Sequence, residues 1–156
     1  CQIYINLALK YWQNGQLATS NSYYEKALAF TKDPAKAISI MKKQIKYYSY
    51  FKKHDNFQKV AKKLIDKYGN ETFYNNRTHK NELVKNYGLV LLAKFYKEND
   101  KTNLALKTFR KILLNYPEKK QWARQQIKLL IDKFGRAVYE KYDKEANKHY
   151  NDLKKI

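Results

Sequence analysis

The sequence predicts an all-α fold of about six to eight helices that pack as antiparallel pairs. Two observations support this prediction. Gly (4) and Pro (2) are scarce among the 156 residues, whereas a β-rich fold needs many special turn residues. Apolar residues also recur at helical spacing along most of the chain, and the apolar fraction of 44% is ordinary for a globular domain with a core.

The first segment, 1–34, predicts two helices separated by Asn14-Gly15, a dipeptide typical of turns. A second break, Asp33-Pro34, is expected to start the next connection. Each helix has one apolar face, and the two faces consist of Tyr4, Leu7, Ala8 and Tyr11 and of Leu17, Tyr24, Ala27 and Leu28.

The next segment, 35–69, predicts a second pair, with Asp55 or Asn56 as the N-cap of the later helix and Gly69 as the glycine that ends it. The stretch 70–85 has no periodic face and is interpreted as a loop or an extension of the following helix. We expect residues 69–81 to be the most mobile internal segment. The apolar stripes of the pair are Ile38, Met41, Ile45 and Tyr48, then Phe57, Val60, Ala61, Leu64 and Tyr68.

Segment 86–119 predicts a third pair. Its first helix is apolar nearly all round, so burial on more than one side is expected. Segment 120–156 is interpreted as a degenerate pair or as capping helices, one over 122–134 and one over 136–156. All these segments are expected to form a single domain, 1–156.

The first and third pairs share one internal spacing. Two packed helices need a small residue where they cross most closely and large residues beside it. Ala93 and Ala105 are therefore expected to face each other across the third pair. The spacing is Tyr4-x2-Leu7-Ala8-x2-Tyr11 then Ser20-x3-Tyr24-x2-Ala27 in the first pair, and Leu89-x2-Leu92-Ala93-x2-Tyr96 then Ala105-x3-Phe109-x2-Ile112 in the third.

This spacing resembles the tetratricopeptide repeat (TPR), a helix pair of about 34 residues with the pattern W-x2-L-G-x2-Y…A-x3-F…P. Here Tyr4 and Leu89 replace the Trp, Ala8 and Ala93 replace the Gly, and Ser20 replaces the second Ala. Segment 35–69 lacks the small residues in register and is interpreted as a degenerate repeat. The resemblance implies an α-solenoid, in which stacked helix pairs form a superhelix.

The resemblance also implies a non-enzymatic scaffold, in which the first helices of the pairs line a concave surface that binds a partner protein or peptide. Apolar residues of these first helices lie outside the seam of each pair. They form a binding groove if they are open to solvent, and the alternative is that an upstream helix or the next repeat covers them. The lysine coat is expected to steer an acidic or mixed-charge partner toward this surface. The candidate partner-binding residues are Ile5, Leu9, Trp12, Tyr87, Val90, Leu91, Lys94 and Lys97.

The charge supports an alternative function. The formal net charge is +19, and lysine pairs such as Lys42-Lys43 lie near tyrosines, which suits RNA, DNA or an anionic membrane surface. However, only four of the 33 basic residues are Arg, and the lysines are spread along the whole chain. A solvated lysine coat is the simpler interpretation, because Arg rather than Lys makes bidentate contacts to phosphates and bases.

No enzyme is predicted. The 3 His are scattered, and the chain has no His-Glu-x-x-His, Cys-x-x-Cys, Gly-rich phosphate loop or Gly-x-Ser-x-Gly motif, so no cofactor or metal is expected. Cys1, the only cysteine, is interpreted either as the boundary of a longer chain or as the lipidated first residue of a bacterial lipoprotein. Cys1 and the high charge favour the bacterial cell envelope over the cytoplasm.

Overall fold

The computed structural model describes residues 1–135, and the predicted helix over 136–156 lies outside them. The described part contains seven α-helices and one two-stranded hairpin, which confirms the all-α class. The chain divides into two compact units, of which one is Cys1–Lys85 and the other begins at Asn86. The elements are α1 (Gln2–Gln13), α2 (Leu17–Phe30), α3 (Pro34–Tyr50), α4 (His54–Tyr68), β1 (Thr72–Asn75), β2 (Lys80–Leu83), α5 (Val84–Glu98), α6 (Thr102–Asn115) and α7 (Lys120–Phe134).

The first pair packs along the predicted seam. Ala8, Ser20, Tyr24 and Ala27 are all buried, and small side chains at Ala8 and Ser20 let α1 and α2 approach closely. Ile40 of α3 joins the cluster formed by Ala8, Tyr24 and Ala27. The second pair of helices therefore shares its core with the first.

Helix α3 begins where the sequence suggested a connection. Asp33 is its N-cap, with the carboxylate accepting a hydrogen bond from the Ala35 amide at 3.0 Å, and Pro34 occupies the first turn. Proline fits there because the amide it lacks would have no partner within the helix. The Asp33-Pro34 break is thus the start of a helix, and the prediction of a connection there is corrected.

Helix α4 begins at His54, with Lys53 as an N-cap that makes no side-chain hydrogen bond. The prediction of Asp55 or Asn56 as the N-cap is therefore wrong. Backbone hydrogen bonds fix the start instead, because the Lys53 amide donates to the Tyr48 oxygen at 2.8 Å. The first predicted stripe is buried throughout, at Ile38, Met41, Ile45 and Tyr48, and the second is buried at Phe57, Ala61 and Leu64. Val60 and Tyr68 of the second stripe are only half-buried.

The turns α1–α2, α3–α4 and α5–α6 share one backbone geometry. Each contains one residue with positive φ, namely Gly15 (76°), Lys52 (51°) and Asp100 (56°). In each turn the amide of the following residue donates to a carbonyl five positions back, which is the Schellman arrangement for satisfying a helix end. The accepting carbonyls belong to Tyr11, Tyr48 and Tyr96, at 2.9, 2.8 and 2.9 Å.

Residues 72–83 form an antiparallel hairpin that leads directly into α5, so the prediction of a loop here is corrected. Helix α5 begins at Val84, two residues before the predicted start of the third pair. Thr72 pairs with Leu83, and Asn75 pairs with Lys80. Strands of 4 residues are too short to show a clear alternation of apolar and polar side chains. The mobility of residues 69–81 stays a prediction.

Lys42 of α3 anchors this hairpin. Its Nζ lies 4.0 Å from the centre of the Phe73 ring, and a cation–π contact of this kind contributes about 0.5–2 kcal/mol. Burial lowers the pKa of Lys42; the Glu82 carboxylate of β2 opposes this shift, and the Lys46 ammonium adds to it. The hairpin is therefore attached to α3 by a lysine that gives up part of its hydration.

Gly69 follows the last residue of α4, as predicted, but the reason is space and not handedness. Its φ is −56°, in the right-handed helical region, so it forms no left-handed cap. A Cβ at this position would collide with the backbone oxygen of Ile65 and lie 3.4 Å from the Lys85 Cβ. The absence of a side chain thus avoids a collision with the last turn of α4.

The second unit retains the predicted seam of the third pair. Ala93 and Ala105 are each 0% exposed, as a close crossing requires. After α6, the short 3₁₀ helix Pro117–Lys119 leads into α7, which packs against α6. The other residues of the seam are also buried, namely Leu89, Leu92, Tyr96, Phe109 and Ile112.

Candidate partner-binding surface

Trp122, in the second unit, lies near the start of α7 beside two lysines. Its half-buried indole meets the Phe109 ring edge-on, with the ring centroids 5.4 Å apart. The Nζ atoms of Lys94 and Lys119 each lie 5.7 Å from the indole centre. Because Phe109 is 0% exposed, the core holds the indole in one place, next to two exposed ammonium groups.

Helices α5 and α7 are linked again one turn further along. The Lys97 Nζ donates a hydrogen bond to the Gln126 Oε1 at 2.5 Å. Lys94 and Lys97 are three positions apart, and Trp122 and Gln126 are four apart, so each pair lies on one helix face. We call this group the α5–α7 surface, and it consists of Lys94, Lys97, Lys119, Trp122 and Gln126.

An open cavity of about 490 Å³ adjoins Trp122 on α7. Within residues 1–135 its lining includes Arg124 and Lys128 and no carboxylate. The Arg124 Nε is buried and has no hydrogen-bond partner among the same residues. A buried guanidinium nitrogen without an acceptor raises the free energy of the fold.

Five of the predicted partner-binding residues lie on α5 in the second unit. Tyr87, Val90 and Leu91 are half-buried, whereas Lys94 and Lys97 are exposed. The structure brings the two lysines together with Trp122 and Gln126 on the α5–α7 surface. The three apolar residues keep part of their side chains accessible.

The other three predicted residues, Ile5, Leu9 and Trp12, lie on α1 in the first unit and are half-buried. Ile5 and Trp12 pack against the cluster that includes Ile40 of α3. Part of this apolar face is therefore used in the core of the first unit.

The sequence assigns Trp122 to the start of a helix but gives it no function. Segment 120–156 has no repeat register, so the sequence does not show which side of the helix faces α5. A local signal is nevertheless present, because Trp122 follows Lys119-Lys120 and precedes Arg124. One of the 2 tryptophans of the chain thus lies among cations.

Lysines also contact aromatic rings elsewhere in both units. Lys43 Nζ, for example, lies 5.5 Å from the Tyr24 ring centre. Lysine–aromatic contacts are therefore not confined to the α5–α7 surface. Similar pairs are Lys26 with Tyr23, Lys53 with Tyr47, Lys67 with Tyr68, Lys101 with Phe95 and Lys133 with Phe134.

Comparison with models of known families, with curated proteins and with solved structures gave no match for this chain. Within residues 1–135, none of the helices is both long and apolar enough to cross a membrane. The same residues contain no group of three or more His, Cys, Asp or Glu side chains placed to hold a metal ion. The α5–α7 surface is therefore the feature of the second unit from which a function can be inferred.

Proposed function

We propose that this chain is a non-enzymatic protein-interaction module whose α5–α7 surface binds an acidic, partly apolar segment of a partner protein. The observation that supports the proposal most directly is the position of Trp122 beside the Lys94 and Lys119 ammonium groups. The TPR-like spacing adds support, because in such repeats the stacked pairs create extended binding surfaces.

Trp122 has the properties of an interface anchor. A tryptophan offers a large apolar area with only two side-chain torsions to immobilise, and it is among the residue types most often found at binding hot spots. The edge-on contact with Phe109 already restricts the ring. Binding therefore costs little additional side-chain entropy at this position.

The lysines around Trp122 determine which partner is favoured. Carboxylates of an acidic segment pair with the exposed ammonium groups of Lys94 and Lys119, and each such surface pair contributes about 1 kcal/mol or less. Their larger effect is on the association rate, which long-range attraction raises at low salt. Affinity therefore comes mainly from apolar contact with Trp122, and selectivity for acidic segments comes from the lysines.

Single-stranded nucleic acid is the second candidate ligand, because bases stack on indole rings and lysines neutralise phosphates. The distribution of lysine–aromatic pairs over both units favours the protein partner. The two lysines nearest the ring are also point charges, without the planar fork that arginine offers to phosphates and bases.

Three probes of equal net charge separate these candidates: a peptide in which Glu alternates with Leu and Phe, an all-Glu peptide, and oligo-dT. We expect the mixed peptide to bind about tenfold more tightly than the all-Glu peptide, since only the mixed peptide makes apolar contact with Trp122. Trp122→Ala should remove this difference. Lys94→Gln removes one charge beside Trp122. Its matched control is Lys111→Gln, which removes one charge at an exposed position of α6.

The proposal would be replaced by nucleic-acid binding if oligo-dT bound most tightly of the three probes, if the logarithm of its affinity fell linearly with log salt, and if Trp122→Ala had no effect. Equal binding of the two peptides would also exclude an apolar anchor at Trp122.

A further inference from the structure

A second cavity lies within the first unit, between α2, α3 and α4. Its volume of about 340 Å³ falls at the lower end of the range of about 300–1,000 Å³ found for small-molecule sites. Met41, Gln44 and Tyr48 of α3 line it together with residues of α2 and α4. It is separate from the α5–α7 surface and independent of the function proposed there.

Gln44 gives this cavity an unused hydrogen-bond acceptor. The residue is 3% exposed, and its Oε1 has no hydrogen-bond partner among the described residues. Buried polar atoms of this kind are uncommon, because a carbonyl oxygen removed from water without a donor raises the free energy of the fold. The oxygen is enclosed, so a ligand in the cavity reaches it only when the terminal torsion of Gln44 turns the oxygen toward the cavity.

Glu25 of α2 places a fixed negative charge in the lining. Its Oε1 accepts hydrogen bonds from the Tyr48 hydroxyl at 3.2 Å and from the Asn21 Nδ2 at 3.4 Å. Both donors are buried, so they hold the carboxylate in one orientation. Within residues 1–135, Glu25 forms no ion pair with a lysine or arginine.

Helix α4 supplies the opposite charge. Lys59 and Lys63 line the cavity one helical turn apart, and neither forms an ion pair with a carboxylate of residues 1–135. The cavity therefore has a carboxylate on α2 and two ammonium groups on α4 that do not neutralise each other directly. A ligand with only one charge would satisfy one wall and be repelled by the other.

We propose that this cavity binds a small zwitterion of the α-amino-acid class with an aliphatic side chain. The ammonium group of the ligand bonds to the Glu25 carboxylate and, once the Gln44 amide has turned, to the Gln44 Oε1. The carboxylate of the ligand pairs with Lys59 and Lys63. The aliphatic part packs against the apolar lining, which includes Leu28, Met41 and Val60.

Met41 provides a direct test, because it is the 1 methionine of the chain and it lines the cavity. With a ¹³C label on the methionine methyl group, the Met41 NMR signal is followed during titration with L-leucine. We expect a saturable shift. N-acetyl-leucine lacks the ammonium group, leucinamide lacks the carboxylate, and glycine lacks the aliphatic part, so each should bind about tenfold more weakly or worse.

Matched variants test the two charged walls separately. Glu25→Gln keeps an oxygen that accepts from Tyr48, so the fold should persist, as the unfolding midpoint would show, while leucine affinity falls about tenfold. The double variant Lys59→Gln/Lys63→Gln should weaken leucine binding to a similar degree. The control is Lys52→Gln/Lys62→Gln, which removes the same charge from exposed positions outside the cavity lining and should leave binding unchanged.

The proposal is overturned if leucine at millimolar concentration leaves the Met41 signal in place. It is also overturned if N-acetyl-leucine or leucinamide binds as tightly as leucine, because the ligand need not then be a zwitterion. An equal loss of binding in the control and in Lys59→Gln/Lys63→Gln would show that only the general positive charge matters.

Discussion

The Ser20 side chain of α2 donates a hydrogen bond from its Oγ to the backbone oxygen of Ala8 in α1, at 2.6 Å. Both residues are 0% exposed. The bond joins the two helices at the positions where the sequence places their closest approach. The third pair has Ala93 and Ala105 at the corresponding positions, where neither side chain can form such a bond.

Ser20→Ala should lower the free energy of unfolding by about 0.5–1.5 kcal/mol, because the buried hydrogen bond is lost while the smaller side chain still fits. Urea denaturation measures this loss. Ser22→Ala is the control, since the Ser22 Oγ is exposed and bonds only to the Ala18 oxygen of its own helix, at 3.3 Å. Equal losses in the two variants would mean that the contact with Ala8 adds nothing to stability.

Ala93→Leu should lower the free energy of unfolding by about 1–3 kcal/mol, because a larger side chain overpacks the crossing between α5 and α6. Thermal and urea unfolding measure the change. Ala18→Leu, at an exposed position of α2, is the control and should stay within about 0.5 kcal/mol of the wild type. An unchanged midpoint in Ala93→Leu would show that the assigned register of the third pair is wrong.

The helix seams could be predicted from the sequence because large and small apolar residues recur there at helical spacing. The correspondence of the second pair with the other two could not be predicted from the sequence. Tyr48 and Tyr11 hold equivalent places in the turns but are 37 positions apart, whereas the repeat period is about 34. Only the shared turns, with positive φ at Gly15, Lys52 and Asp100, make the correspondence clear. Backbone hydrogen bonds can hold a lysine or an aspartate at positive φ, and the residue type alone does not reveal this.

The candidate site was only partly predictable. Lys94 and Lys97 follow from the repeat register, because that register indicates which face of α5 lies outside the seam. Trp122 belongs to the site through contacts between α5, α6 and α7, which no local pattern encodes. The cavity beside Gln44 likewise combines side chains from three helices that are distant in sequence.

Phe73→Ala should release the hairpin from α3, because it removes the ring that Lys42 contacts at 4.0 Å. Hydrogen exchange at the Val84 amide, which donates to the Glu71 oxygen at 2.9 Å, should then become faster. Tyr74→Ala is the matched control, since the neighbouring Tyr74 is 55% exposed. If both variants left Val84 equally protected, the Lys42–Phe73 contact would not hold the hairpin.

Stability should rise with pH toward about 10 and fall above it, because burial lowers the pKa of two lysines of the first unit, Lys42 and Lys43, and raises the pKa of Tyr24. Burial, followed by repulsion from Lys46, lowers the pKa of Lys43 below its ordinary 10.5. At pH values between the lowered pKa of Lys43 in the fold and its ordinary 10.5 in the unfolded chain, the unfolded chain binds more protons than the fold. Raising the pH through this range therefore stabilises the fold. Burial raises the pKa of Tyr24 above 10.0, so the unfolded chain loses this proton first and stability declines at higher pH.

Urea unfolding across this pH range tests the assignment. Lys43→Met should reduce the rising part of the curve more than Lys36→Met, which removes an exposed charge from the same helix. Identical curves for the two variants would show that the rise comes from the general loss of positive charge.

The most direct test of the proposed function is the fluorescence of Trp122 in a Trp12→Phe background, where it is the remaining tryptophan of the 2 in the sequence. The mixed peptide of alternating Glu, Leu and Phe should produce a saturable change in emission. Lys94→Gln/Lys119→Gln should weaken that response about tenfold or less at low salt, whereas Lys107→Gln/Lys111→Gln on α6 should not. A saturable binding signal from the peptide by calorimetry, with no change in Trp122 emission, would contradict the proposal that this surface is the binding site.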